Sequence, residues 1–130
     1  MRIFVDSAIA IYIVEQPQPF YSTVDAWLKA NPGDLIANEL VRMETLVLPT
    51  RNGQASLIQD FEDFFANQIA ELGQLHRPVL DGAVQIRAAN RWIKSPDAIH
   101  FASAIKLSCD VFVTNDLALK RFNGIRVEVI

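Results

Sequence analysis

The sequence predicts an α/β protein, a three-layer α/β/α sandwich around a central, mainly parallel sheet, with residues 1–130 forming one domain. Three observations lead there. The runs Ile3-Phe4-Val5, Leu35-Ile36-Ala37 and Val111-Phe112-Val113 are apolar at every position, without the polar-out alternation of a sheet with one wet face. Segments of helical periodicity separate them. With 51% hydrophobic and 21% charged residues, 130 residues suffice for a sizeable core and exclude a disordered chain.

Taken in order, Ile3-Phe4-Val5 is the first strand, and Ser7 is placed to cap a helix over Ala8 to Val14. Pro17 and Pro19 break the chain. Phe20 to Ala30 is an amphipathic helix with Val24, Trp27 and Leu28 on one side, ended by the turn Asn31-Pro32-Gly33-Asp34. Leu35-Ile36-Ala37 is the second strand. Asn38 caps a helix to about Leu48, which Pro49 is expected to stop. Gln54 to Gln68 carries Leu57, Ile58, Phe61, Phe64 and Phe65 on its apolar side. Ile69 to Arg77 fits either a short strand or a loop. Pro78 opens a helix to about Trp92, and Ser95-Pro96 opens the next, with Ser95 as N-cap. Val111-Phe112-Val113 and Arg126 to Val129 complete the strands.

Composition narrows the function classes. A single cysteine, Cys109, permits neither an internal disulfide nor a cysteine-built zinc cluster, and points to a reducing cytoplasm. The basic-then-apolar start MRIFVDSAIAIYIVEQPQPF resembles a signal peptide only until Asp6 and Glu15 interrupt it. No run approaches the 18 apolar residues of a membrane span. A net charge of −3 argues against charge-driven coating of nucleic acid, yet allows a phosphate held through metal ions and a local basic patch. The glycines are dispersed, so there is no nucleotide-binding fingerprint, and there is no nucleophile elbow.

Four acids carry the chemistry. Asp6 and Asp116 follow the two clearest strands, and ligands of open parallel sheets bind beyond the strands' carboxyl ends. Glu44 lies on the helical stripe Leu40, Val41, Val47, Leu48, where a charge needs a partner or a metal. Asp97 opens the apolar stretch SPDAIHFASAI. Each also admits a structural explanation: capping for Asp6 and Asp116, an ion pair with Arg42 for Glu44, and the helix dipole for Asp97. Gathered on one rim, four carboxylates repel unless cations intervene. An all-oxygen set suits Mg²⁺ or Mn²⁺, and two such ions about 3.5–4 Å apart bracket a phosphodiester during hydrolysis.

The stretches IFVDSAIAIYI, ANELVRMETL, SPDAIHFASAI and FVTND stand in the order found in PIN domains, and across essentially its whole length the chain resembles that family. The resemblance implies a metal-dependent ribonuclease with Asp6, Glu44, Asp97 and Asp116 as catalytic and metal-binding acids, and with Ser7 and Asn115 bordering their pocket. The size implies a toxin of the VapC type, acting on structured RNA, dimeric, and held inactive by a VapB-type antitoxin. Serine replaces the family's usual threonine at position 7 and keeps the hydroxyl. Glu39 is an extra acid, expected to be exposed or capping.

Arg87, Arg91 and Lys94 are spaced i, i+4 and i+7, so they form either a basic track leading RNA phosphates to Asp97 or a solvated helix face. His100, three residues after Asp97, is expected to make a local hydrogen bond beneath the pocket, with acid–base chemistry as the other possibility. His76 has no assigned role. A two-component receiver also clusters aspartates at strand ends, but an acid supplied from mid-helix does not fit it. Outside catalysis, the same fold serves as a binding module for RNA or protein, in which lysines or arginines would neutralise the acids.

Overall fold

The computed structural model describes residues 1–130. Five strands form one sheet: β1 (Arg2–Val5), β2 (Asp34–Asn38), β3 (Ile69–Gly73), β4 (Val111–Thr114) and β5 (Arg126–Val129). Their order is β3-β2-β1-β4-β5, and every neighbouring pair is parallel. The expected mainly parallel sheet is thus parallel throughout. The segment Ile69 to Arg77, open between strand and loop, supplies the edge strand β3.

Six α-helices fill the crossovers: α1 (Ser7–Glu15), α2 (Phe20–Ala30), α3 (Glu39–Arg51), α4 (Ala55–Asn67), α5 (Arg77–Ala89) and α6 (Ser95–Lys106). Crossovers between parallel strands are right-handed. Successive steps from β1 to β2 to β3 therefore put α1 to α4 on one face, and the return step to β4 puts α5 and α6 on the other. Packing agrees: α1 touches α2 and α3, α3 touches α4, and α5 lies against α6. No helix is long and apolar enough to cross a membrane.

The all-apolar strands are apolar because both their faces are covered. Ile3, Phe4, Val5, Val111, Phe112 and Val113 are all fully buried. The register pairs Phe4 with Phe112, whose rings stack at 5.2 Å, and Phe101 of α6 lies 4.5 Å from Phe112. Burying one such side chain contributes about 1.5–3 kcal/mol. Phe61, Phe64 and Phe65 of α4 line the opposite layer, as their spacing predicts. The turn before β2 is tight: a methyl group on Gly33 would lie 2.2 Å from the Met1 carbonyl oxygen. Gly33→Ala is therefore expected to lower the melting temperature by several degrees, the scale of a destabilisation of about 1–2 kcal/mol.

Several boundaries differ from expectation. Asp6, not Ser7, caps α1: its backbone is extended and its Oδ1 accepts from the Ala8 amide at 2.9 Å. Pro49 does not stop α3, which runs on to Arg51 with the Pro49 ring buried. Placed near the helix end, the proline forfeits one hydrogen bond and regains apolar burial. α5 stops at Ala89 rather than near Trp92, because Asn90 leaves the helix and its side-chain amide satisfies the Ile86 carbonyl at 2.9 Å. Lys94, not Ser95, is the N-cap of α6, and Ser95 Oγ instead accepts from Arg87 at 2.9 Å.

Candidate active site

The chain leaves β1 for one side of the sheet and later returns to β4 on the other, so the strand order reverses between β1 and β4. Beyond the carboxyl ends of two such strands lies a crevice that neither crossover covers, where ligands of open α/β sheets bind. Asp6 follows β1 and Asp116 follows β4 by two residues. The Asp6 amide donates to the Val113 carbonyl at 3.1 Å, which extends the pairing into the crevice.

One hydroxyl ties these two acids together. Thr114 Oγ1 donates to Asp6 Oδ2 at 2.6 Å and accepts from the Asp116 amide at 3.1 Å. Asp116 Oδ1 accepts from the Ala118 amide at 3.0 Å, capping a 3-10 turn over Leu117–Arg121. The capping explanation thus holds for both aspartates. Asp6 spends an oxygen on each of two protein donors, whereas Asp116 keeps Oδ2 free.

Glu44 comes from α3, but not from the centre of its buried stripe. The buried line is Val41, Thr45 and Pro49, while Val47 and Leu48 are exposed. The expected stripe is rotated because the small Thr45 turns its hydroxyl back to the Arg42 carbonyl at 2.8 Å and packs inward. Glu44 therefore lies at the border of core and solvent. Its partner is not Arg42, which pairs with Glu62 at 2.7 Å and Glu39 at 3.8 Å. Instead His100 Nε2 lies 2.6 Å from Glu44 Oε1.

Asp97 completes the set from the first turn of α6. It is half-buried, accepts no hydrogen bond from any side chain or backbone amide, and forms no ion pair. Its carboxyl pKa is raised above the ordinary range, first by burial, then by the charges of Asp6, Asp116 and Glu44, with His100 opposing. All three other acids thus act on the charge of Asp97. Burial also raises Asp6, against the lowering effect of its bonds to Thr114 and Ala8. No three of these groups are drawn together into a chelating cluster. The set is nonetheless entirely oxygen and includes one partnerless acid, a donor chemistry that suits a hard divalent cation such as Mg²⁺ or Mn²⁺.

The profile of the PIN domain matches residues 3–125. The chain belongs to the PIN domain family. Solved structures with the same fold include VapBC2 from Rickettsia felis bound to a promoter DNA fragment, with a TM-score of 0.76 and 18% identity. That match covers 100% of this chain and 99% of the other. A toxin–antitoxin complex from Klebsiella pneumoniae matches with a TM-score of 0.75 at 20% identity, over 98% and 96% of the two chains. VapC20 of Mycobacterium tuberculosis, a toxin that cleaves the sarcin-ricin loop, matches with a TM-score of 0.68 at 16% identity, over 94% and 90%. No curated protein matches by sequence.

In this PIN domain, Ser7 is the first residue of α1, beside Asp6 and half-buried. Asn115 is exposed next to Asp116, and its amide donates to the Tyr12 hydroxyl at 2.9 Å, pinning the end of β4 to α1. Arg87, Arg91 and Lys94 do not share a helix face, because α5 ends at Ala89. Arg87 is spent on the Ile93 carbonyl at 3.1 Å and on Ser95, whereas Arg91 and Lys94 are exposed in the connection to α6. The acids border an open rim. None of the surface concavities is lined by the four acids; one, of about 400 Å³, is lined by Leu80, Ala83, Val84, Arg87, Ser95 and Ile99. Sequence reasoning missed Thr114 as the link between the aspartates and Asn38 as a buried hydrogen-bond hub beyond its capping role. The all-apolar strand ending in threonine just before Asn115-Asp116 was the available signal for the first.

The raised Asp97 gives a pH dependence of definite sign. The unfolded carboxyl ionises near pH 4, the folded one higher, so between those values the folded state holds more protons and its stability falls as pH rises. Below pH 4 both states are protonated and the penalty vanishes. In cation-free buffer, melts from pH 4 to 7 should show Asp97→Asn gaining steadily on the wild type as pH rises. A pH-independent difference would contradict the burial of the charge.

Proposed function

We propose that this PIN domain, residues 1–130 acting as one unit, is a Mg²⁺- or Mn²⁺-dependent endoribonuclease and the toxin of a type II toxin–antitoxin pair. One observation carries the catalytic part: Asp97 is half-buried yet accepts no hydrogen bond and forms no ion pair, and its pKa is raised by burial and by the charges of Asp6, Asp116 and Glu44. Such a site is destabilising unless a cation occupies it. Asp97, Asp116 through Oδ2 and Glu44 through Oε2 have oxygens available, and Asp6 would use the remaining lone pairs of its bonded oxygens. A bound divalent ion supplies an activated water and charge neutralisation at the phosphate. The protein's part is to fix the carboxylates: Thr114 holds Asp6, the 3-10 turn holds Asp116, and His100 holds Glu44.

As a non-catalytic module for RNA or protein, the chain would neutralise its acids with lysine or arginine. None of the four forms such a pair. A cation site predicts that millimolar Mn²⁺ raises the melting temperature, because a ligand that binds only the folded state stabilises it by about 2.7 kcal/mol at a hundredfold excess over Kd. Glu44→Ala should abolish that rise. Cleavage of structured RNA by the purified chain should stop on addition of EDTA, and cleavage indifferent to EDTA would overturn the assignment.

RNA is proposed to reach the acids past Lys94 and Arg91, exposed just ahead of Asp97, with Arg87 shaping that connection. Lys94→Ala is expected to raise KM severalfold with kcat nearly unchanged, and to flatten the salt dependence of binding. Failure to move KM would remove Lys94 from the path. The VapBC structures of the same fold support an antitoxin partner, the apolar Leu80, Val84 and Ile105 exposed on α5 and α6 support a dimer, and the single Cys109 supports a cytoplasmic location. An adjacent reading frame encoding a DNA-binding segment and an amphipathic tail would support the antitoxin, and light scattering would test the dimer.

A further inference from the structure

Behind Glu44 lies a row of polar side chains in otherwise apolar surroundings. Asn38 is completely buried, Ser103 is 1% exposed and His100 3%. Asn38 Oδ1 is committed to capping α3, accepting from the Val41 amide at 2.8 Å. Its amide nitrogen therefore faces the other two groups, Ser103 Oγ at 2.8 Å and His100 Nδ1 at 3.2 Å. An NH₂ group has one hydrogen for each and accepts nothing. His100 Nδ1 must then be the acceptor, which places the ring hydrogen on Nε2, and Nε2 donates to Glu44 Oε1 at 2.6 Å. The ring also lies against Phe4, with centroids 5.9 Å apart.

We infer that Asn38 and His100 are positioning residues that hold Glu44 in one orientation, with Oε1 occupied and Oε2 presented to the acidic space, before any cation arrives. Three observations separate this from ordinary core satisfaction. The row spans both helical layers, joining the start of α3 to the middle of α6 and ending on Glu44. It ends on the only one of the four acids that reaches the site from mid-helix, whose flexible side chain gains most from being fixed. Each member settles the hydrogen-bonding role of the next: the cap fixes the Asn38 amide, the amide fixes the tautomer, and the tautomer fixes the carboxylate. Groups that orient a metal-binding side chain typically change cation affinity 10- to 100-fold when lost. Glu44 would on this basis bind through a single oxygen.

The inference rests on the proposed cation site, and the tests keep the two apart. In wild-type protein, ¹⁵N spectra of the two histidine rings should show His100 protonated on Nε2 alone. Mg²⁺ should shift the His100 ring signals and leave those of His76 in place. A His100 ring protonated on Nδ1, or unmoved at a Mg²⁺ concentration that already raises the melting temperature, would overturn it. Calorimetric titration with Mn²⁺ gives the second measurement. His100→Leu should bind 10- to 100-fold more weakly, and His100→Gln, which keeps a donor toward Glu44, within about threefold of wild type. If wild type binds Mn²⁺ and Glu44→Ala does not, while a folded His100→Leu binds like wild type, the positioning role falls and the cation site stands. If wild type binds no cation, both fall.

Discussion

Asp97→Asn is expected to lower the rate of RNA cleavage about a thousandfold while leaving the fold intact. The substitution is nearly isosteric and removes one negative charge from the proposed acidic set. Several kcal/mol of transition-state stabilisation depend on ions held by such carboxylates, and each 1.36 kcal/mol is tenfold in rate. Because Asp97 is half-buried and bonded to nothing, its loss removes no hydrogen bond. The variant should therefore melt at or above the wild-type temperature in cation-free buffer near neutral pH. Single-turnover cleavage of a structured RNA, followed beside thermal melts, separates the effects. Wild-type cleavage by a folded Asp97→Asn would sink the catalytic assignment.

Phe112→Ala should have the largest effect on stability, about 3–5 kcal/mol, or a fall of about 10–20 °C in melting temperature. The ring is fully buried in β4 between Phe4 of β1 and Phe101 of α6. Its removal leaves a cavity that two parallel strands and a helix cannot close without breaking register. Because that register carries Asp6 and Asp116 to the crevice, activity should fall at temperatures where the variant is still mostly folded. Urea denaturation of the two proteins measures the difference, and a loss below about 1 kcal/mol would show that the aromatic stack relaxes.

The sequence made the strands legible because burial on both faces leaves nothing polar in them, and the four acids stood out against that background. The capping role of Asn38 was equally plain. What failed were features set by tertiary contacts. The stripe of α3 was rotated because Thr45 counted as polar yet packs inward, whereas Val47 and Leu48 counted as core yet face solvent. The basic track was drawn on a helix that Asn90 ends early. The ambiguity of Ile69 to Arg77 reflects an edge strand, buried at Ile69 and Gly73 with exposed Ala70 and Glu71 between them. His100 does form hydrogen bonds, but they are not local: its partners are Asn38 at the end of β2 and Glu44 of α3, which no spacing within α6 announces.

An all-parallel sheet with its reactive groups beyond the carboxyl ends has a practical consequence for handling the protein. β5 runs with the others, and the Ile130 amide still pairs with the Thr114 carbonyl, two residues from Asp116. Chain continuing past Ile130 therefore emerges at the carboxyl ends of the strands, on the side that carries Asp6 and Asp116. Residues joined before Met1 leave from the opposite end of the strands, next to Asp34. Affinity handles, fluorophores and surface tethers belong before Met1, and a bulky fusion after Ile130 would act as a removable block on the proposed site.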